Sequence, residues 1–219
     1  MLFEQIVYFS LLNQFTDTKS SFMGRKSLEE PRKKEIIKAF YKVAKKEGLE
    51  ETSIAKIAEV MEINPSLIVH YFRNKQELVY ALIEYILDKY MLIYRVENTD
   101  KPTLADLKKM IDNLFSKKWN NLFDDGLFYS CYALTFRDKK IKQMYHSIGS
   151  TLRSRLASFI ESCNKGKILS VKNVEEVADK LFVLVDGSYF YVSVINDKKE
   201  YEKIVIRHKA AAYSLLGIS

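Results

Sequence analysis

The chain has 219 residues, enough for one helical protein or two small domains, with 47% hydrophobic residues to build a core and a formal charge of +7. Only seven Gly and three Pro argue against a turn-rich β protein, and no apolar run reaches the ~20 residues a transmembrane helix needs. Cys131 and Cys163 stand far apart with no CxxC, and His70, His146 and His208 have no metal-ligand spacing. The composition therefore points to reduced thiols in a cytoplasmic, all-α protein without a metal or cofactor, whose mild basicity permits a nucleic-acid partner.

Residues 1–22 hold one short apolar run, Ile6 to Leu12, without the basic leader and small-residue cleavage site of a signal peptide. Residues 24–34, GRKSLEEPRKK, place Arg25, Lys26, Arg32, Lys33 and Lys34 ahead of the first helix. They read either as a solvated arm or as an arm that reaches DNA phosphates or the minor groove. The first helix is predicted from about Pro31 to Glu47, with Ile36, Ile37, Phe40, Val43 and Ala44 inward and Gly48 as a left-handed end residue.

In TSIAKIAEVMEINPSLIVHYFRNKQEL, residues 52–78, two short helical patterns flank a tight turn. Thr52 or Ser53 caps the first, and Ile54, Ile57, Ala58 and Met61 make its apolar stripe. Asn64 caps the second and Pro65 takes its first position, where a missing N–H costs nothing. That helix runs to about Phe72, anchored by Ile63, Ile68 and Phe72. Helix, short turn, helix is the spacing of a helix-turn-helix, although many helical hairpins bind nothing. Asn74 then caps a long third helix, predicted through Leu82 and Tyr90 to about Glu97.

Asn98 to Pro102 is a loop, and Thr103 caps a helix through Leu107, Ile111, Leu114 and Phe115. An aromatic stretch follows, broken and restarted at Asp124-Asp125-Gly126, and Ile141 to about Cys163 forms another long helix. Val174–Ile195 is apolar around more than half its circumference, so it needs a second partner surface. Glu200–Leu216 closes the chain before Gly217.

The stretch TSIAKIAEVMEINPSLIVHYFRNKQELVYALIE resembles the N-terminal domain of the TetR family of bacterial transcriptional regulators. The likeness rests on Thr52-Ser53-Ile54, Ile57-Ala58, the Ile63-Asn64 turn, His70-Tyr71-Phe72 and Asn74-Lys75-x-Glu77-Leu78. There are departures. Glu62 stands where the family has Gly, Val69 where it has Tyr, and Pro65 where it has a basic or small residue. The resemblance implies a three-helix DNA-binding domain over 23–78 and a helical effector-binding and dimerisation domain over 79–219. It also implies a homodimer through the last two helices. Met23-Gly24-Arg25-Lys26 begins as members do, which predicts a start at Met23 and makes 1–22 an extension. The alternative is an extra helix that packs through Phe3, Ile6, Val7 and Phe9.

The candidate DNA contacts follow from these placements. Thr52 and Ser53 at a helix N-terminus offer N–H groups and hydroxyls to a phosphate. Arg32 and Lys33 belong to the basic arm, while Asn64 and Pro65 set the tip of the reading helix. Ser66, Leu67 and His70 face base edges, with Leu67 on a thymine methyl. Tyr71 and Lys75 match positions that contact phosphate in the family. Plain packing is the competing role for His70 and Tyr71. With few strong hydrogen-bonding groups at the tip, shape and phosphate contacts carry much of the specificity.

For a small-molecule effector the candidates are Trp119, Phe123, Phe128, Tyr129, Tyr132, Tyr145, Asp186, Tyr189 and Phe190. Asp186, alone in an apolar helix, needs partners: hydrogen bonds within a dimer interface, or a cationic ligand among aromatic rings. His70-Tyr71-Phe72 and Val185-Asp186-Gly187-Ser188-Tyr189 resemble the choline-responsive repressors of betaine synthesis in this family. The predicted function is a repressor released from a palindromic operator by a small molecule. Enzyme signatures such as GxSxG, a Gly-rich phosphate loop or HExxH are absent. The alternative is a helical protein that binds another protein or an anionic membrane surface.

Overall fold

The computed structural model describes residues 26–94, 101–117 and 124–218. Nine α-helices run through them: α1 Lys26–Glu47, α2 Ile54–Met61, α3 Pro65–Tyr71, α4 Lys75–Met91, α5 Leu104–Leu114, α6 Asp125–Ala133, α7 Lys139–Lys165, α8 Val174–Val192 and α9 Lys198–Leu215. One 3-10 turn, Leu134–Phe136, joins α6 to α7. There is no strand among the described residues, so the all-α expectation holds.

Most helix starts are set by one short side chain, as the first turn of free N–H groups requires. Ser53, Asn64, Asn74, Thr103, Asp124, Asp138, Asn173 and Asp197 each accept from a backbone N–H of their own helix. Thr103 and Asp106 complete a reciprocal capping box. Two boundaries differ most from the sequence reading. Helix α1 begins at Lys26 and carries Pro31 in its interior, so the expected basic arm is already helix from Lys26 onward. Helix α4 ends at Met91, six residues before the predicted Glu97, and the chain turns through residue 94.

Two cores organise the molecule. The first gathers Ile36, Ile37, Phe40 and Ala44 of α1, Ile57 and Ala58 of α2, Ile68 of α3, and Leu78 to Leu87 of α4. It continues into Leu127 and Cys131 of α6 and Ile141 of α7, so the core of the N-terminal unit extends well past residue 78. The second joins Tyr90, Ile93 and Tyr94 to α5, to Leu152–Cys163 of α7, and to α8 and α9. Helix α4 feeds both cores, and Phe128 of α6 packs against both. The two cysteines lie in different cores, where burial pushes the Cys131 thiol up to about 12 and Cys163 to about 11. At those values neither thiol is reactive near neutral pH.

Candidate functional site

Helices α2 and α3 meet at a turn made without glycine. Glu62 takes the left-handed conformation, φ 55° and ψ 41°, and its N–H reaches Glu59 O at 3.1 Å, while Ile63 N reaches Ala58 O at 3.0 Å. These bonds close the end of α2 in the pattern that usually carries Gly. Asn64 Oδ1 then accepts from Ser66 N at 2.9 Å and starts α3. Ile68 is fully buried and Phe72 nearly so. The opposite side, Pro65, Ser66, Val69, His70 and the following Arg73, is open to solvent.

The other candidates divide. Ser53 caps α2 through a 3.2 Å bond from Lys56 N and stays exposed. Thr52 is 1% exposed and its hydroxyl donates to Gly48 O at 2.7 Å. Of the two hydroxyls, only that of Ser53 is open to a phosphate, because Thr52 ties α1 to α2 from inside. Leu67 is half-buried, and Tyr71 is half-buried against the first core with His70 edge-on at 5.1 Å. Lys75 Nζ donates to Glu50 O at 3.0 Å, which pins the start of α4 to the α1–α2 loop.

Arg32 and Lys33 lie on α1 rather than in a free arm. Arg32 pairs with Glu35 and Lys33 with Glu29, both at 2.7 Å, and the Glu29 partner holds the Lys33 ammonium above its ordinary value. Lys33 also lines a cleft of about 450 Å³ between α1 and α4, with Lys34, Tyr71, Tyr80 and Asp88. Val69 and Arg73 are the exposed residues on the α3 side that the sequence reading passed over. For Val69 the i and i+4 spacing from Pro65 was the available signal, whereas Arg73 lies beyond the end of α3.

Three joints tie this unit to the rest. Asp138, the cap of α7, accepts from Gln76 Nε2 at 2.7 Å and Tyr80 Oη at 2.9 Å, both on α4. The N–H of Ile141, together with those partners, holds its carboxyl below the usual range. Asp124 N donates to Tyr41 Oη at 2.8 Å and so links α6 to α1. At the far end of α4, Asp186 Oδ1 accepts from Tyr90 Oη and, at 2.8 Å, from Tyr94 Oη. Asp186 thus finds two partners within its own chain, at the far end of α4. Burial raises its carboxyl above the ordinary value against the pull of the two hydroxyls, and burial beside Asp186 raises both tyrosines.

Of the effector candidates, Trp119 and Phe123 lie outside the described residues. Phe128 gathers two of the other candidates and one ring of α4: Tyr129 stands 5.3 Å away, Tyr145 6.2 Å and Tyr90 5.4 Å. Tyr132 packs edge-on to Tyr145 at 5.3 Å, and Tyr145 Oη is buried with no hydrogen-bond partner among the described residues. Tyr189 Oη donates to Leu114 O at 3.1 Å. Phe190 touches Tyr129 but is 63% exposed, so it belongs to the outer face of α8. Sequence reasoning missed Tyr90, Tyr94 and Phe182, whose ring lies 5.8 Å from Tyr94.

A small capped helix presented by a helical core, with its outer face bare, is the geometry of a helix-turn-helix DNA-binding regulator. A family model described as "Bacterial regulatory proteins, tetR family" matches residues 36–82, and one described as "Tetracyclin repressor-like, C-terminal domain" matches residues 102–218. The chain belongs to the TetR family and is a DNA-binding transcriptional regulator. It is 23% identical over 186 residues to the HTH-type transcriptional regulator BetI of Pseudomonas fluorescens, covering 84% of this chain and 92% of that protein. It is 24% identical over 187 residues to the HTH-type transcriptional regulator TtgR of Pseudomonas putida, covering 75% and 82%. Among solved structures, a TetR transcription regulator from Haloarcula marismortui superposes with a TM-score of 0.73 at 18% identity, covering 86% of this chain and 97% of that one. A transcriptional regulator from Saccharomonospora viridis in complex with choline gives 0.66 at 12% identity, covering 84% and 96%. Among the described residues no helix is long and apolar enough to cross a membrane.

Proposed function

We propose that the protein is a repressor that holds a palindromic operator as a homodimer in the cytoplasm and releases it when a small molecule enters the C-terminal bundle. The single observation that carries the reading is the bare outer face of α3, with Ser66, Val69 and His70 exposed over a buried Ile68. Ser53, Asn64, Pro65, Tyr71 and Lys75 frame that face, and Arg32, Lys33 and Thr52 support it from α1 and the α1–α2 junction.

A seven-residue helix buries too little surface to bind tightly alone, so two copies on a two-fold axis are needed, with half-sites about 34 Å apart or a little more. The surface for pairing is on α8 and α9. Val183, Phe190, Ile206 and, just past the end of α8, Val194 are each at least 60% exposed, and Gly187 lies among them with open space where a Cβ would stand. Apolar residues and a glycine on one open stripe favour close approach of a second helix pair.

The effector acts through α4. That helix is held to α7 by Asp138 and to α8 by Asp186, so a ligand that displaces either joint moves the reading unit. A differential affinity of about 1–3 kcal/mol between the two states is sufficient. A carboxylate edged by the rings of Tyr90, Tyr94 and Phe182, close to Phe128, suits a small organic cation. The choline bound to the S. viridis regulator is a ligand of that class.

The test is selection of bound DNA from a random pool by the full-length protein, then titration of the complex with choline-like cations and with flat aromatic compounds, followed by Trp119 fluorescence. Enrichment of a palindrome, and its release by one ligand class, supports the reading. No preference for any sequence favours a protein-binding or membrane-surface role instead.

A further inference from the structure

We infer that Val69, not Leu67, is the apolar side chain that reads the bases, and that each half-site carries a thymine whose methyl group it covers. The inference rests on the operator-binding reading and deepens it. Within residues 52–78, Val60 and Val69 are the two large hydrophobic side chains left exposed, and Val69, at 46%, is the one on α3. Leu67 is half-buried beside Tyr71.

A β-branched residue is a poor helix former, because its side chain loses rotamer freedom against the preceding turn. An exposed valine in a seven-residue helix gains almost nothing on folding to offset this. Its place on the helix gives it another use. Val69 is one turn from Pro65, and it shares the outer face with Ser66. Apart from Asn64, whose amide oxygen is engaged as the helix cap by Ser66 N, that face has no amide or carboxylate side chain to read adenine or cytosine. What remains for an apolar side chain in the major groove is the one apolar group there, the C5-methyl of thymine.

The methyl can be deleted from either partner. After selection from a random pool, each symmetric pair of thymines in the enriched sequence is replaced in turn by deoxyuridine, which lacks only that methyl. Affinities are then measured for the wild type, Val69→Ala and Leu67→Ala. Burying one methyl group is worth about a fourfold change in affinity per half-site, or roughly 15-fold for the palindrome. At one thymine pair the wild type and Leu67→Ala lose that amount, and Val69→Ala loses nothing further, as coupled partners require. Alanine is the better helix former, so the variant folds.

Val69→Ala that keeps full sensitivity at every thymine pair overturns the inference and leaves the operator reading standing. So does a wild type indifferent to every methyl, or a coupling that follows Leu67. A pool with no enriched sequence overturns the operator reading itself, and the inference with it.

Discussion

Replacing Asp186 separates its charge from its hydrogen bonds. The carboxylate accepts from Tyr90 and Tyr94 and joins α8 to the far end of α4. Asp186→Ala removes the acceptor that two buried hydroxyls share. Hydrogen bonds to a charged group are worth about 1.5–3 kcal/mol each, and relief of the carboxylate's own burial offsets part of that, so a net loss of about 2–4 kcal/mol is expected. For a chain of this size each kcal/mol moves the melting temperature by about 2–4 °C.

Asp186→Asn keeps an acceptor oxygen in place and discards the charge. Weaker bonds and the removed burial penalty oppose one another, and the change should stay within about 1 kcal/mol of zero. The pH dependence carries a definite sign. A carboxyl raised in the folded state contributes stability that is complete below its ordinary value of 3.8 and lost as pH climbs through the raised one. The stability of Asp186→Asn relative to wild type should therefore rise from acid toward neutral pH. Thermal and denaturant unfolding at several pH values would read both effects. An alanine variant no weaker than the asparagine variant, or a difference flat with pH, would refute the description of Asp186 as a buried, hydrogen-bonded joint.

Glu62 holds a left-handed backbone that costs a side-chain-bearing residue about 1–2 kcal/mol. Glu62→Gly should raise stability by about 1 kcal/mol after the glycine's own entropy cost, and Glu62→Ala should not, as a pair of melting curves would show. His208 Nδ1 lies 2.8 Å from the Oγ of buried Ser188, and burial with Arg207 nearby holds its imidazole below the ordinary 6.5. Its contribution is present above that value and lost as pH falls through the lower folded one, so wild type should weaken on acidification below about pH 6.5 more than His208→Gln does.

The reading unit was legible because its determinants are local. Asn64 and Asn74 announce the starts of α3 and α4, and the burial of Ile68 and Phe72 follows from helical spacing. Glu62 in the glycine position already implied a turn made with a side chain present, and the structure supplies the left-handed backbone. Adjacent hydroxyls defeat such rules: nothing local says that Ser53 faces out while Thr52 turns back to Gly48. Periodicity also marks a residue as buried without saying in which core. Leu127, Cys131 and Ile141 fall in the C-terminal part of the chain, yet they join the core that α1 to α4 build. The partners of Asp186 lie 92 and 96 residues away, beyond any pattern in the neighbouring sequence, and the sharing of one ring, Phe128, between both cores is equally invisible there.

That the operator is read by two copies of α3 is tested most directly with a chain that folds but cannot pair. Val194, 68% exposed in the turn just after α8 and clear of both main cores, can carry a glutamate without disturbing either. Sedimentation of Val194→Glu, alone and with the selected palindrome, should show a folded monomer that no longer binds it at concentrations where the wild type is saturated. A Val194→Glu monomer that binds the palindrome at full strength would contradict the two-copy reading.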